Sequence, residues 1–201
     1  MFAEDKLETF YGDHWDDIVT TGGISKEGDV SYPNAKKPLK LMNRIIKAVL
    51  FLEKDDIVMD FFSGSATTAE DGGNRKYIMV QLPEKTDEKT EAYKAGYANI
   101  CEIGKERIRR AGKKILEENK DKEGIEKLDI GFRVLKLDDS NMNEVYYSPE
   151  LYTQSLLSTT ESNIKSDRND LDLLFACLIE MGHSLSRSYR SEKIETCTVH
   201  Y

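Results

Sequence analysis

Two short apolar runs, Ile57–Phe62 and Tyr77–Leu82, are separated by only the fourteen residues 63–76, and that spacing limits what the chain can build between them. Both runs are rich in β-branched and aromatic residues, and each predicts a short strand buried on both faces. The first leads into a small-residue turn, Ser63-Gly64-Ser65-Ala66, with Asp60 near the carboxyl end of the strand and Thr67 and Thr68 following. Parallel strands need a crossover of about a dozen residues, helix included. After the turn only "TTAEDGGNRK" is left, and Gly72-Gly73 weakens it further as a helix. A strand of this size is about 20 Å long, which a helix rising ~1.5 Å per residue covers in roughly thirteen residues. The chain can therefore return, but largely as extended loop.

The flanking segments have the alternation of an α/β protein with a mainly parallel sheet. Residues 1–36 are polar and without period, a loop-rich leading segment. From Pro38, which suits a first helical turn, Met42, Ile45, Ile46, Val49 and Leu52 recur at helical steps until Asp55-Asp56. Past Pro83 a charged loop, "EKTDEKTEAYKAGY", precedes a long helix over Asn99–Asn119. Its apolar stripe is Ile100, Gly104, Ile108, Ala111 and Ile115, with Lys105, Arg107, Arg109, Arg110, Lys113 and Lys114 assigned to the other faces. "GFRVLKLD", 131–138, reads as a third strand, 139–166 is poorly patterned, and a last helix over Asn169–Met181 carries Leu171, Leu174, Phe175 and Leu178 before a stop at Gly182. Three parts follow: 1–36, 37–138 and 139–201.

Composition narrows the function classes. With 201 residues the chain is long enough for its own core. A net charge of −8 argues against bulk electrostatic binding of polyanions. Cys101, Cys177 and Cys197 are odd in number and far apart, which fits a reducing cytoplasm rather than a disulfide scaffold. His14, His183 and His200 lack ligand spacing, so no metal site is expected. No signal-like leader or membrane-length apolar run is present, and a soluble, cytoplasmic protein is expected.

The turn after the first run is where ligands of open α/β sheets bind. Gly64 allows close backbone approach, and the helix start beyond it offers free N–H groups. It is no P-loop, for it has no GxxxxGK[ST] lysine; it lacks the three glycines of a dinucleotide fingerprint and the flanking glycines of a nucleophile elbow. Taken alone, "DFFSGSATT" fits an ordinary buried strand and glycine turn as well as it fits a ligand site.

Its surroundings carry a resemblance. "KKPLKLMNRIIKAVLFLEKDDIVMDFFSGSATT", "RKYIMVQLPE", "EIGKERIRRAGKK", "GFRVLKLD" and "DLDLLFACLIEMG" resemble the modification subunits of type III restriction–modification systems, β-class DNA adenine (N6) methyltransferases. The resemblance covers most of the chain from about residue 36 and implies a partial Rossmann-like, S-adenosylmethionine-dependent methyltransferase fold. Lys37 and Pro38 match the family's Lys-Pro element beside the methionine end of the cofactor. Asp60, Phe61, Phe62, Gly64, Ser65 and Thr67 match the turn that cradles it. The acidic residue that accepts the ribose hydroxyls is here Gln81, a neutral amide that hydrogen-bonds a diol less strongly than a carboxylate; Glu84 is a nearby substitute. Ala66 stands where many relatives carry a second glycine.

Two features depart from the family. Its catalytic [DNS]-P-P-[YFW] segment, which binds the target amino group and stacks on a flipped base, is absent: Pro33, Pro38, Pro83 and Pro149 are nowhere adjacent, so no catalytic residue is assigned. In the β-class order it lies upstream, so the chain resembles the C-terminal part of a larger enzyme. The second departure is the short crossover, read as a local deletion after Ala69 or Glu70. Losing that helix uncovers apolar sheet surface and removes a helix dipole from the turn, which counts against cofactor binding.

The chain is thus expected to be a fragment that contributes the S-adenosylmethionine pocket of a site-specific DNA methyltransferase. Its expected partners are double-stranded DNA through the full enzyme, a DPPY-bearing half and a restriction subunit. The alternative is a catalytically dead remnant or a partner-binding module without cofactor affinity. The basic face at 105–114 is more often a solvated surface than a DNA phosphate contact. Cys177 reads as packed core, Trp15, Tyr146 and Tyr147 as loop anchors before base-stacking groups, and His183 carries no assignment. Gln81, polar within an apolar run, points to the site.

Overall fold

The computed structural model describes residues 12, 14–18, 24–29, 36–49, 56–70, 75–144 and 163–201. The chain divides into two compact units, Met1–Ile130 and Gly131–Tyr201. Among the described residues no helix is long and apolar enough to cross a membrane.

In the first unit, α1 spans Leu39–Val49. Pro38 stands one residue ahead of it, and its carbonyl accepts from the N–H groups of Leu41 (3.0 Å) and Met42 (3.2 Å), which starts the helical ladder. Ile46 is buried in this helix at 4 % exposure, while Ile45 is 38 % exposed. Leu52, the end of the expected stripe, lies outside the described residues.

Strands β1 (Ile57–Asp60) and β2 (Lys76–Met79) pair in parallel, with Val58 opposite Tyr77 and Asp60 opposite Met79. The tightly spaced runs therefore make the parallel pair that the resemblance requires. The helical content described between them is one 3-10 turn, Thr67–Glu70, in place of a crossover helix. Burial on both faces, expected from the continuous apolar runs, is corrected: Ile57, Met59 and Ile78 are 59, 48 and 46 % exposed. Paired residues of a parallel ladder share a face, and no element of the described residues covers this one.

The expected loop past Pro83 contains a short helix, α2 (Glu91–Lys94), capped by the Thr90 hydroxyl. It brings Ala92 against Ile103, with Tyr97 packed beside them. Helix α3 runs over Ile100–Glu118 and is capped by the Asn99 side chain, which accepts from the Glu102 N–H at 3.1 Å. Its buried positions are Ile100, Ile103, Gly104, Arg107, Ala111 and Gly112. Arg107, assigned by its charge to an outer face, is corrected: it lies three residues after Gly104 and four before Ala111, on the buried stripe itself.

In the second unit the expected strand at 131–138 does not pair with any strand among the described residues, and Leu137 is 99 % exposed. A strand exists by pairing, whereas here Arg133 reaches the carbonyls of Leu185 and Arg187 and lies over the Phe175 and Tyr189 rings. Helix α4 (Asp170–Glu180) starts with a capping box between Asn169 and Asp172 and ends at Gly182, whose φ of 68° is left-handed. Cys177, expected in the core, is exposed: α4 half-buries Leu174, Phe175 and Leu178, and Cys177 sits off that stripe. A hairpin of β3 (Ser191–Ile194) and β4 (Cys197–His200) closes the unit.

Candidate functional site

The site is the turn beyond the carboxyl end of β1, and its first determinant is backbone. Gly64 and Ala66 have φ of 54° and 60°, left-handed values that cost a residue with a Cβ roughly 1–2 kcal/mol. Gly64 is required by that conformation rather than by crowding, because among the described residues a Cβ there would meet nothing nearer than the Phe62 carbonyl at 4.0 Å. Its outer side is open. Ala66 is 3 % exposed and packs on α3, where a Cβ on Gly104 would come within 3.3 Å of its own.

Three side chains lock this turn. Asp60 accepts from the Phe62 N–H (3.1 Å) through one carboxylate oxygen and from the Thr68 hydroxyl (2.6 Å) through the other. Gln81, just past the carboxyl end of β2, accepts from the Gly64 N–H at 2.8 Å, while its Nε2 donates to its neighbour's Leu82 carbonyl at 3.2 Å. The ladder also extends into the turn, with the Ser63 N–H donating to the Val80 carbonyl at 3.2 Å. The third is Arg107, whose Nη1 donates to Ser65 Oγ (3.1 Å) and Thr67 Oγ1 (2.6 Å) and whose Nε donates to Glu70.

The residues singled out from sequence thus divide into two sets. Asp60, Gly64, Ser65, Thr67 and Gln81 come together in one bonded cluster. Ser65 and Thr67 are 5 and 4 % exposed, and their hydroxyls face Arg107 rather than open solvent. Phe61 and Phe62 stand at the surface, 61 and 85 % exposed. Lys37 is exposed and Pro38 buried, ahead of α1. The lysine tied into the structure is its neighbour Lys36, which donates to the carbonyls of Ser25 (3.0 Å) and Glu27 (2.7 Å). Glu27 in turn accepts from the Leu39 N–H at 2.9 Å and so caps α1. The exposed Glu84 has a structural backbone role, its carbonyl accepting from the Ile100 N–H at 2.9 Å.

Arg107, Glu70, Lys36 and Glu27 were not singled out as site residues. For Arg107 the signal is in the sequence: seven residues after Ile100, it falls on the apolar stripe. The basic outer face of α3 behaves as a solvated surface, with Lys105 paired to Glu102 (2.5 Å) and Arg110 to Glu106 (2.7 Å). A separate depression of about 480 Å³ on α1 is lined by Glu27, Leu39, Lys40, Asn43, Arg44 and Lys47. It includes no turn residue, and its Lys40 and Arg44 are paired to Asp17.

Residues 4–91 match a family described as DNA methylase. The chain is 39 % identical over 119 residues, 53 % of its length, to the StyLTI Mod subunit, a type III restriction–modification enzyme of Salmonella typhimurium. It is 40 % identical over 86 residues, 39 % of its length, to the EcoPI Mod subunit of Escherichia phage P1. Over 172 residues, 73 % of its length, it is 33 % identical to the EcoP15I Mod subunit of Escherichia coli. These alignments span 18, 13 and 24 % of the three relatives, so the chain corresponds to less than a quarter of each.

Proposed function

We propose, from its similarity to the type III modification subunits, that the chain supplies the S-adenosylmethionine pocket of a site-specific DNA adenine methyltransferase. The observation that carries the reading is the meeting of Gly64 and Gln81 beyond the carboxyl ends of two parallel strands, the position at which open α/β sheets hold ligands.

The turn suits an adenosyl donor on its own geometry. Gly64 presents a side without a Cβ, and the exposed Phe61 and Phe62 precede it in the turn. Gln81 Oε1 holds the turn, and Nε2, which among the described residues donates to its neighbour's carbonyl, is the donor for a ribose hydroxyl. Lys37 and Pro38 lie in this reading beside the methionine end. S-adenosylmethionine, when bound, supplies the methyl group. The residues of this chain bind and orient it; none belongs to a DPPY segment that would hold the target amino group of adenine.

That chemistry is assigned to a DPPY-bearing polypeptide, with DNA and a restriction subunit as partners of the assembled enzyme. Support for a missing partner comes from the sheet face of Ile57, Met59 and Ile78, which a companion part of the fold would cover. Mixing the chain with a DPPY-bearing half and labelled S-adenosylmethionine is expected to methylate adenine in duplex DNA. Stable association without methyl transfer would rule the reading out. The second reading, a remnant without cofactor affinity, draws on the internal bonding of the turn, where the Phe62 and Gly64 N–H groups are already accepted by Asp60 and Gln81.

A further inference from the structure

Arg107 is the largest fully enclosed side chain among the described residues, 0 % exposed, and it falls within "EIGKERIRRAGKK", one of the segments that carry the resemblance. Its acceptors, Ser65, Thr67 and Glu70, belong to the glycine turn and the 3-10 turn behind it. The leading segment closes over the group from another side. Gly28 has a φ of 71°, and a Cβ on it would lie 2.6 Å from Arg107 Nε and 2.8 Å from Glu70 Oε2. One guanidinium therefore joins α3, the turn and residues 24–29.

We propose that Arg107 is the positioning residue of the cofactor turn, fixing from behind a loop that a crossover helix would otherwise hold. The proposal rests on the reading that this turn receives S-adenosylmethionine. The planar fork explains the choice of residue: Nε and Nη1 address a carboxylate and two hydroxyls at once, which the compact ammonium of lysine cannot do in the same geometry. Stability alone does not explain it. An apolar pair of similar volume often serves a buried site as well as an ion pair does. Moreover, Arg107 Nη2 is buried with no acceptor among the described residues. What the guanidinium provides is a single register for Ser65 and Thr67, and through them for Gly64 between β1 and the hydroxyls.

The test compares the wild-type chain with Arg107→Met/Glu70→Met and with Arg107→Lys. It reads thermal midpoint, amide hydrogen exchange at Gly64 and Ala66, and calorimetric titration with S-adenosylmethionine. The double variant removes charge from both partners; it is expected to keep a cooperative unfolding transition near that of the wild type. Exchange at Gly64 and Ala66 should nevertheless rise, and cofactor affinity fall, by about tenfold or more, as expected when a site is misplaced by a fraction of an ångström. A folded double variant with wild-type exchange and affinity would overturn the proposal. Should the double variant not fold, Arg107→Lys decides: it keeps a cation for Glu70 but loses the fork, so faster exchange at the two amides is expected, and unchanged exchange would refute the positioning role. Absence of cofactor binding by the wild type would instead remove the cofactor reading, while the exchange data would still judge the clamp.

Discussion

The Gly64 N–H donates to Gln81 Oε1 across 2.8 Å, so the glycine turn of β1 is tied to the segment just beyond β2. This bond makes Gln81 a discriminating position. Gln81→Glu keeps an acceptor for Gly64 and adds a charged one for the ribose hydroxyls, and bonds to a charged acceptor are roughly twice as strong. S-adenosylmethionine affinity is expected to rise about fivefold by calorimetry, equivalent to ~1 kcal/mol. Gln81→Leu leaves the Gly64 N–H without its acceptor and should weaken binding by a similar factor.

Asp60 is committed to the turn through both oxygens, which predicts a stability cost when it is shortened. Asp60→Ala removes the acceptors of the Phe62 N–H and the Thr68 hydroxyl. It should lower unfolding free energy by about 1–3 kcal/mol, since Thr68 is buried. Urea titration checks this, and Asp60→Asn, which retains one acceptor, should fall between. A midpoint unchanged in Asp60→Ala would remove the turn from the folded unit.

Acid reports on the leading segment. Hydrogen bonds from Arg44, at 2.6 Å to each carboxylate oxygen, and from Lys40 hold the Asp17 carboxyl well below its ordinary range. The folded value is depressed, so the contribution of these bonds is full above the ordinary value of 3.8 and is lost as pH falls through the lower folded value. Trp15, the single tryptophan, lies 5.4 Å from the Arg44 guanidinium. Its fluorescence should hold steady from neutral pH to about 4 and change only below. Asp17→Asn should abolish that acid transition; a transition centred near pH 6 would contradict the assignment.

The three thiols should separate by rate. Burial pushes the Cys101 thiol above its ordinary value, and Sγ points at the Gln81 carbonyl at 3.5 Å, whereas Cys177 and Cys197 are exposed. Since the thiolate is the reactive form, alkylation at pH 8 should label Cys177 and Cys197 first. Mass-spectrometric mapping decides the order, and Cys101 labelling first would contradict the half-buried place of its thiol against the Gln81 carbonyl.

Much of this arrangement was legible because local rules and tertiary packing agree. The helix starts at about Asn99 and Asn169 and the Gly182 stop are read from the sequence, and in the structure the two asparagines cap α3 and α4 and Gly182 ends α4. The parallel pairing followed from two apolar runs and a glycine turn. What escaped was decided by distant partners. Arg107 looked like surface by its charge, but Ser65, Thr67 and Glu70 come to meet it from 37 to 42 residues away. "GFRVLKLD" has the composition of a strand, yet no described segment pairs with it. The β3–β4 hairpin was missed for the opposite reason: its turn, Glu195-Thr196, has no glycine, proline or asparagine, although Glu195 adopts a φ of 53°.

The central claim, that this turn holds an adenosyl donor, is met most directly by calorimetric titration of the chain with S-adenosylmethionine beside a Gly64→Val control. Valine is disfavoured at the left-handed φ of 54° and would fill the open side of the turn. The account predicts saturable micromolar binding by the wild type and none by a Gly64→Val protein whose circular dichroism is unchanged. A folded wild-type chain that releases no heat, or equal binding by both proteins, would contradict it.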